Sequence, residues 1–91
     1  MCIEKKIINI HPSLLPKYKG LNTFIRILKK KEIKTGCTVH HVNEKLDAGN
    51  IIIQKSFFIK NNDNEKTLKK RTQELEYLAF PEAIFKIYRK S

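Results

Sequence analysis

The sequence predicts an α/β fold with the element order strand, helix, strand, strand, helix. Three short runs rich in β-branched residues, at 6–10, 35–42 and 51–59, have the composition and length of strands. Two longer stretches, at 21–31 and 65–89, repeat apolar residues every three or four positions, which is the period of an amphipathic helix. A chain of 91 residues can bury only a small core, so we expect one domain and no second one.

The first strand is expected to end at His11, because the following Pro12 disfavours helical geometry in the residue before it. A strand this apolar is typical of the interior of a parallel sheet with neighbours on both sides. A loop rich in proline and glycine follows and ends near Gly20, and Asn22 is the expected cap of the first helix. The apolar residues at helical spacing are Leu21, Phe24, Ile25 and Leu28.

The second strand alternates between two faces, because successive side chains of a strand point in opposite directions. The polar loop 43–50 then leads to the third strand, whose apolar start suggests burial on both faces. The cluster 61–64 predicts a turn that caps the last helix, and Pro81 is expected to interrupt or kink that helix. The two predicted faces of the second strand are Thr35, Cys37, Val39 and His41, and Thr38, His40 and Val42.

Three side chains are candidates for chemistry: Asn9 and His11 at the end of the first strand, and Asp47 in the loop before the third. Strand ends and the loops beside them are where α/β sheets build their sites. An imidazole and an amide can stabilise an oxyanion, and a carboxylate can orient or move a proton, which suits acyl transfer to an amine. By residue type alone, each is more often a turn former or a satisfied polar group than a catalyst.

The charge and cysteine content exclude several classes of protein. The net charge is +10, but the basic residues are mostly scattered lysines, so we interpret them as solvated faces and do not expect nucleic-acid binding. No apolar run reaches the roughly 20 residues that cross a bilayer, and no secretory signal is recognisable, so the expected location is the cytoplasm. Cys2 and Cys37 lack metal-ligand spacing, and no metal site is predicted.

Two motifs in order carry a resemblance to a known family. The chain resembles the folate-dependent formyltransferases, and a late segment at 77–83 with its Phe80-Pro81 step extends the similarity to nearly the whole length. The first motif is Asn9-Ile10-His11-Pro12-Ser13-Leu14-Leu15-Pro16 followed by Tyr18-Lys19-Gly20. The second motif is Thr35-Gly36-Cys37-Thr38-Val39-His40 with Leu46-Asp47-Ala48-Gly49-Asn50-Ile51-Ile52-Ile53-Gln54.

The resemblance implies a catalytic trio of Asn9, His11 and Asp47. In that interpretation, protonated His11 and Asn9 hold the oxyanion formed when a substrate amine attacks the formyl carbon of 10-formyltetrahydrofolate, while Asp47 supports His11 and helps to remove the amine proton through water. Thr38 and His40 share a face and are expected to lie behind Asp47, although a plain hydrogen-bonded histidine in a sheet is an equally good interpretation of His40. The residues implied to contact the pterin are Asn43, Glu44, Lys45, Leu46, Ala48 and Gly49.

Within the family, His11-Pro12 in place of a paired histidine, together with the 35–40 motif, favours the members that formylate glycinamide ribonucleotide in purine synthesis. Formyltetrahydrofolate deformylase is the nearest rival assignment. Both assignments imply small-molecule substrates.

The resemblance also implies an incomplete domain: residues 1–91 match the carboxyl-terminal half of a formyltransferase-type sheet and lack its amino-terminal, Rossmann-like half. In the family that half holds the Gly-rich loop for the substrate phosphate, whereas Gly20, Gly36 and Gly49 are isolated here. We therefore expect either a separately encoded amino-terminal half or self-association through exposed strand edges. Two rival hypotheses are an inactive remnant of a split gene and a small basic module that binds nucleic acid.

Overall fold

The computed structural model of the chain describes residues 2–3, 6–42 and 51–90, which contain four strands and two helices. The predicted α/β order is confirmed, with one two-residue strand added in front. The elements are β1 (Cys2–Ile3), β2 (Lys6–His11), α1 (Thr23–Lys29), β3 (Lys34–Val42), β4 (Ile51–Phe58) and α2 (Glu65–Lys90).

The four strands form one sheet in the order β1-β2-β3-β4, and every pair within it is antiparallel. The parallel neighbours predicted for the first strand are therefore not found among the described residues. The apolar composition of β2 has another cause, because Ile8 and Ile10 belong to the core that one helix covers. Burial by a helix on one face needs no parallel neighbours.

The core lies between the sheet and α2, which packs against β3 and β4. Ala79 and Ala83 are fully buried, and such small side chains let the helix approach the sheet closely. Gly36 serves the same purpose between strands, since a Cβ atom there would lie 1.9 Å from the carbonyl oxygen of Lys55. The other buried members of the core are Ile8, Cys37, Val39 and Ile52.

Burial alternates along most of β4, so the prediction that its start is buried on both faces is wrong. Ile51 is exposed and Ile52 is buried. The described sheet ends at β4, and an edge strand covered by one helix buries only one of its faces.

The turn before α2 caps the helix, as the sequence predicts. The Thr67 amide donates to the side-chain oxygen of Asn64, and the Asn64 amide donates to the Thr67 hydroxyl, each over 2.9 Å. The predicted interruption at Pro81 is wrong, because α2 is continuous from Glu65 to Lys90. Proline removes one backbone hydrogen bond, and the burial of Ala79 and Ala83 on either side holds the helix against the sheet.

The first helix is shorter than predicted and buries a different face. Asn22 is its N-cap residue, but its side chain makes no capping hydrogen bond and its backbone is left-handed, with φ 57°. The buried residues are Thr23 and Ile27, whereas the predicted face residue Leu21 is 85% exposed. The predicted helix began at Leu21, which precedes the observed start at Thr23. The predicted apolar face is therefore rotated around the helix from the face that is buried.

Candidate active site

The register between β2 and β3 brings four of the predicted site residues onto one face of the sheet. Asn9 lies directly opposite His40, and His11 lies directly opposite Thr38. Directly opposed residues of an antiparallel pair share a face, with Cβ atoms about 5 Å apart. Asn9, His11, Thr38 and His40 therefore share one face of the sheet, while their catalytic and supporting roles stay predictions.

Thr38 fastens the loop after β2 to the sheet. Its fully buried hydroxyl donates to the Ser13 carbonyl over 2.7 Å and accepts a hydrogen bond from the Leu15 amide over 3.1 Å. The Gln54 side-chain amide donates to the same hydroxyl over 3.0 Å and to the Leu15 carbonyl over 2.9 Å. The hydroxyl therefore has three partners, and the loop that follows His11 starts from a fixed position.

Sequence reasoning missed the role of Gln54. Its signal is a polar residue at the end of the apolar run 51–53, in the second family motif.

The His11 imidazole is held by the same loop. Its Nε2 atom lies 2.8 Å from the carbonyl oxygen of Tyr18, and because a carbonyl can only accept, Nε2 carries the hydrogen and donates it. Nδ1 is then the ring nitrogen that carries no hydrogen in the neutral ring. Tyr18 has a left-handed backbone with φ 58°, which is uncommon for a residue with a bulky side chain and is typical of functional sites.

Several contacts keep Tyr18 in that conformation. Its hydroxyl donates to Glu32 over 2.5 Å, and this hydrogen bond, followed by burial, raises the pKa of the tyrosine. The Arg26 guanidinium lies over the Tyr18 ring, 5.5 Å from its centre, and donates to the Lys19 carbonyl over 2.6 Å. The position of the carbonyl that orients His11 is therefore determined by contacts to α1 and to the segment after it.

The remaining sheet-face residues differ in exposure. The Asn9 side chain is exposed, so its amide is accessible to a ligand. The Nδ1 atom of His40 lies 3.1 Å from the His41 carbonyl and donates to it, which leaves Nε2 of the neutral ring as an acceptor. Cys37, on the opposite face of β3, is a fully buried free thiol, and burial raises its pKa to about 11.

Glu76 of α2 is an ionisable residue near the candidate site that sequence reasoning did not single out. It is half-buried and lines a cavity together with Ile10, the residue before His11. Burial raises the pKa of the Glu76 carboxyl, and the charge of His11 acts in the opposite direction, so the two groups lie within electrostatic reach. The signal in the sequence is a carboxylate one position after Leu75, among the apolar residues of the last helix.

Asp47 lies outside the described residues, as do all the positions expected to contact the pterin, Asn43, Glu44, Lys45, Leu46, Ala48 and Gly49. Among residues 2–3, 6–42 and 51–90, no three His, Cys, Asp or Glu side chains group as a metal ion would require. Neither of the two described helices is long and apolar enough to cross a bilayer.

Comparison with known proteins gives a match to nearly the whole chain. The model of the formyl transferase family matches residues 2–84. The chain belongs to the formyl transferase family. A solved member, the phosphoribosylglycinamide formyltransferase of Coxiella burnetii, is 48% identical with a TM-score of 0.80, and the match covers 90% of this chain and 39% of that one. The resemblance indicated by the two motifs is confirmed.

Formyl transferase relatives are much longer than this chain. The trifunctional purine biosynthetic protein adenosine-3 of Gallus gallus is 49% identical over 81 residues, which is 89% of this chain and 8% of that protein. A formyltetrahydrofolate deformylase of Pseudomonas syringae is 28% identical, with a TM-score of 0.81 over 85% of this chain and 26% of its own. The chain therefore spans a minor part of each of these relatives.

Proposed function

We propose that this chain supplies the catalytic side chains for formyl transfer from 10-formyltetrahydrofolate to the amine of glycinamide ribonucleotide, a step of purine biosynthesis. The observation that carries the proposal is the placement of Asn9 and His11 on one sheet face, two residues apart, with the His11 ring oriented by the Tyr18 carbonyl. The names of the Coxiella burnetii and Gallus gallus relatives support the choice of acceptor. We also propose that the protein works in the cytoplasm.

In this proposal, Asn9 and His11 act on the formyl oxygen. When the amine nitrogen attacks the formyl carbon, the oxygen gains negative charge, and donors fixed beforehand stabilise it without rearrangement. The Asn9 amide is exposed and can donate to that oxygen, and the protonated His11 ring can donate from Nδ1 because Nε2–H already binds Tyr18. Asp47 receives the proton of the attacking amine through water, and N10 of the folate takes up a proton from solvent as its bond to the formyl carbon breaks.

Chain length supports the participation of Asp47. It is five residues after Val42, so it can lie up to about 17 Å from that residue. Along β3, Thr38 is four residues before Val42, about 13 Å away, and Thr38 lies opposite His11. The loop therefore has the reach to bring a carboxylate back to the imidazole.

The formyl donor is proposed to bind beside the 43–50 loop, where Asn43 to Gly49 would contact its pterin. The substrate phosphate is proposed to bind elsewhere, on the part of a formyl transferase domain that residues 1–91 do not include. That part completes the enzyme, either on the same polypeptide or as a separate chain.

The test is formyl transfer by the chain co-expressed with the segment that precedes the matched region in the Coxiella burnetii relative. We expect transfer to glycinamide ribonucleotide, and a loss of about 10²-fold or more for Asn9→Ala, His11→Ala or Asp47→Ala. His41→Ala is the matched control, because His41 belongs to the opposite face, and it should retain most of the activity. A complex in which His11→Ala transfers formyl groups as fast as the parent would contradict the proposal.

Deformylation is the second candidate, favoured by the 28% identical deformylase of known structure. Water then replaces the amine, and the product is formate. The same complex distinguishes the two: formate release that does not depend on glycinamide ribonucleotide identifies a deformylase, whereas formylated nucleotide identifies a transferase.

A further inference from the structure

The loop after β2 is fastened at two places, and the second of them is Tyr18. Near the sheet, the Thr38 hydroxyl binds the backbone of Ser13 and Leu15. Further along the loop, the Tyr18 hydroxyl donates to the Glu32 carboxylate over 2.5 Å. Glu32 lies two residues before β3 begins, so the second contact ties the loop to the start of that strand.

The bond between Tyr18 and Glu32 has the geometry of a strong hydrogen bond. A hydroxyl that donates to an ionised carboxylate typically lies about 2.5–2.7 Å from it, and such bonds are roughly twice as strong as those between neutral groups. The same bond raises the pKa of Tyr18, so the hydroxyl stays protonated and continues to donate at neutral pH. The Lys17 ammonium lies 3.7 Å from the same carboxylate oxygen, which gives Glu32 a second partner on the loop.

Tyr18 needs such an anchor because its backbone is strained. Its φ of 58° is left-handed, a conformation that costs free energy in a residue with a bulky side chain. Without the hydroxyl contact, the residue would gain by returning to a negative φ, and that change would rotate its carbonyl group. This carbonyl is the acceptor for His11 Nε2 over 2.8 Å. The contact with Glu32 and the orientation of the His11 ring are therefore linked through a single residue.

A second contact of the Tyr18 ring comes from α1. The Arg26 guanidinium lies 5.5 Å from the ring centre and donates to the Lys19 carbonyl over 2.6 Å. A cation over a ring acts on the whole face, whereas a hydrogen bond fixes one atom in distance and direction. Substitution of Tyr18 by phenylalanine keeps the ring under Arg26 and removes only the hydroxyl, so the two contacts can be tested separately.

Glu32 and Tyr18 line a cleft that is separate from the candidate catalytic face. The cleft is lined by residues 14, 17–18 and 31–35, and by neither Asn9 nor His11. The described contacts of Glu32 reach the imidazole through Tyr18. An effect of Glu32 on the reaction would therefore be transmitted by the backbone of Tyr18.

We propose that Tyr18 and Glu32 are positioning residues for formyl transfer, which hold the His11 ring so that Nε2 donates to the Tyr18 carbonyl and Nδ1 faces the formyl oxygen. This inference rests on the proposed function. Once the ring is protonated, Nδ1 donates to the oxyanion from that position. With the hydrogen of the neutral ring on Nδ1 instead, the lone pair of Nε2 would repel the carbonyl oxygen and turn the ring away.

The first measurement is nitrogen NMR of the chain by itself with labelled histidine, which reports the tautomer of His11. The parent should hold the Nε2–H form, and Tyr18→Phe should lower the ratio of Nε2–H to Nδ1–H at least about fivefold, the factor that one ordinary hydrogen bond provides. Glu32→Gln should act in the same direction but less, because the glutamine side-chain oxygen can still accept from Tyr18. His40, whose Nδ1 donates to a backbone carbonyl, is the internal control. Glu74→Gln is the matched control, because it removes the same charge from an exposed position of α2.

The second measurement is formyl transfer by the co-expressed complex. Tyr18→Phe should lower kcat at least about tenfold and leave the KM for glycinamide ribonucleotide within about twofold, because a misplaced donor is felt in the transition state. The double variant with Glu32→Gln should be no slower than Tyr18→Phe alone, since both changes break the same link. Tyr18→Gly should be faster than Tyr18→Ala, because glycine adopts a positive φ without strain.

Several results would overturn the proposal. One is a parent chain with the His11 hydrogen on Nδ1, and another is an unchanged tautomer ratio in a folded Tyr18→Phe variant. If that variant does not fold, Glu32→Gln decides: a lower ratio than in Glu74→Gln supports the proposal, and an equal ratio overturns it. In an active complex, an unchanged kcat of Tyr18→Phe would overturn the positioning role. A changed tautomer ratio with no formyl transfer by the parent complex would instead refute the proposed function and retain the orientation of His11 by Tyr18.

Discussion

Replacing Thr38 by valine tests whether a single buried hydroxyl fixes the loop that orients His11. Valine has nearly the same shape as threonine, so the change removes the hydroxyl and little else. The substitution breaks the hydrogen bonds to the Ser13 carbonyl, the Leu15 amide and Gln54. Three hydrogen bonds at about 1 kcal/mol each, with buried partners left unsatisfied, amount to about 3 kcal/mol of unfolding free energy.

The assay is thermal and urea unfolding of the parent chain, Thr38→Val and Thr38→Ser. A loss of about 3 kcal/mol should lower the Tm by roughly 10–20 °C in a domain of this size. Thr38→Ser keeps the hydroxyl and loses one methyl group, so it should cost only about 1 kcal/mol. In the complex that transfers formyl groups, Thr38→Val should also be slower than Thr38→Ser. Equal stability of the two variants would refute the reasoning, because the hydroxyl would then contribute nothing.

Three further predictions concern ionisable groups. Glu76→Gln should raise the Tm at pH 7, because burial raises the pKa of this carboxyl and its ionisation destabilises the fold. The gain in Tm should vanish below about pH 4, where the carboxyl is protonated in both states. A variant with a lower Tm than the parent at pH 7 would contradict this prediction. Asp63→Asn should destabilise the chain at pH 7. Desolvation by burial opposes the ionised form of Asp63, but hydrogen bonds from the Lys60 amide and Thr67 and the charge of Arg71 outweigh it and lower the pKa. Chemical denaturation should show that the difference in unfolding free energy between the parent and the variant shrinks below about pH 4. In a Cys2→Ser background, Cys37 should react with Ellman's reagent at least about 100-fold more slowly than in urea, since a buried thiol with a pKa of about 11 is shielded and protonated.

Local patterns in the sequence predict most of the architecture. The β-branched runs locate three strands within a residue or two of their bounds, and the Asn64 turn marks the start of α2. The direction of strand pairing depends on neighbours that are distant in sequence. An apolar run such as residues 7–10 therefore indicates that a strand is buried, but it does not indicate whether its neighbours are parallel or antiparallel. The continuity of α2 through Pro81 likewise depends on packing against the sheet, which no local pattern contains.

The candidate site is likewise predicted from the sequence only in part. Period-two alternation predicts that Thr38 and His40 share a face, and the register between β2 and β3 adds Asn9 and His11 to that face. The contacts of Thr38 with Ser13 and Leu15 join residues more than 20 positions apart, so residue spacing alone does not predict them. Glu76 is further still from His11 in sequence, and only the packing of α2 brings the two within electrostatic reach.

The central claim is that His11 and Asp47 form one catalytic unit, and a crystal structure of the chain in complex with the remainder of the domain and a folate analogue tests it most directly. We predict a carboxylate oxygen of Asp47 within about 3 Å of the His11 ring, or joined to it by one water molecule. The His11 Nε2 atom should still donate to the Tyr18 carbonyl. An Asp47 carboxylate about 10 Å or more from the imidazole in that complex, too far for a single bridging water, would contradict the claim.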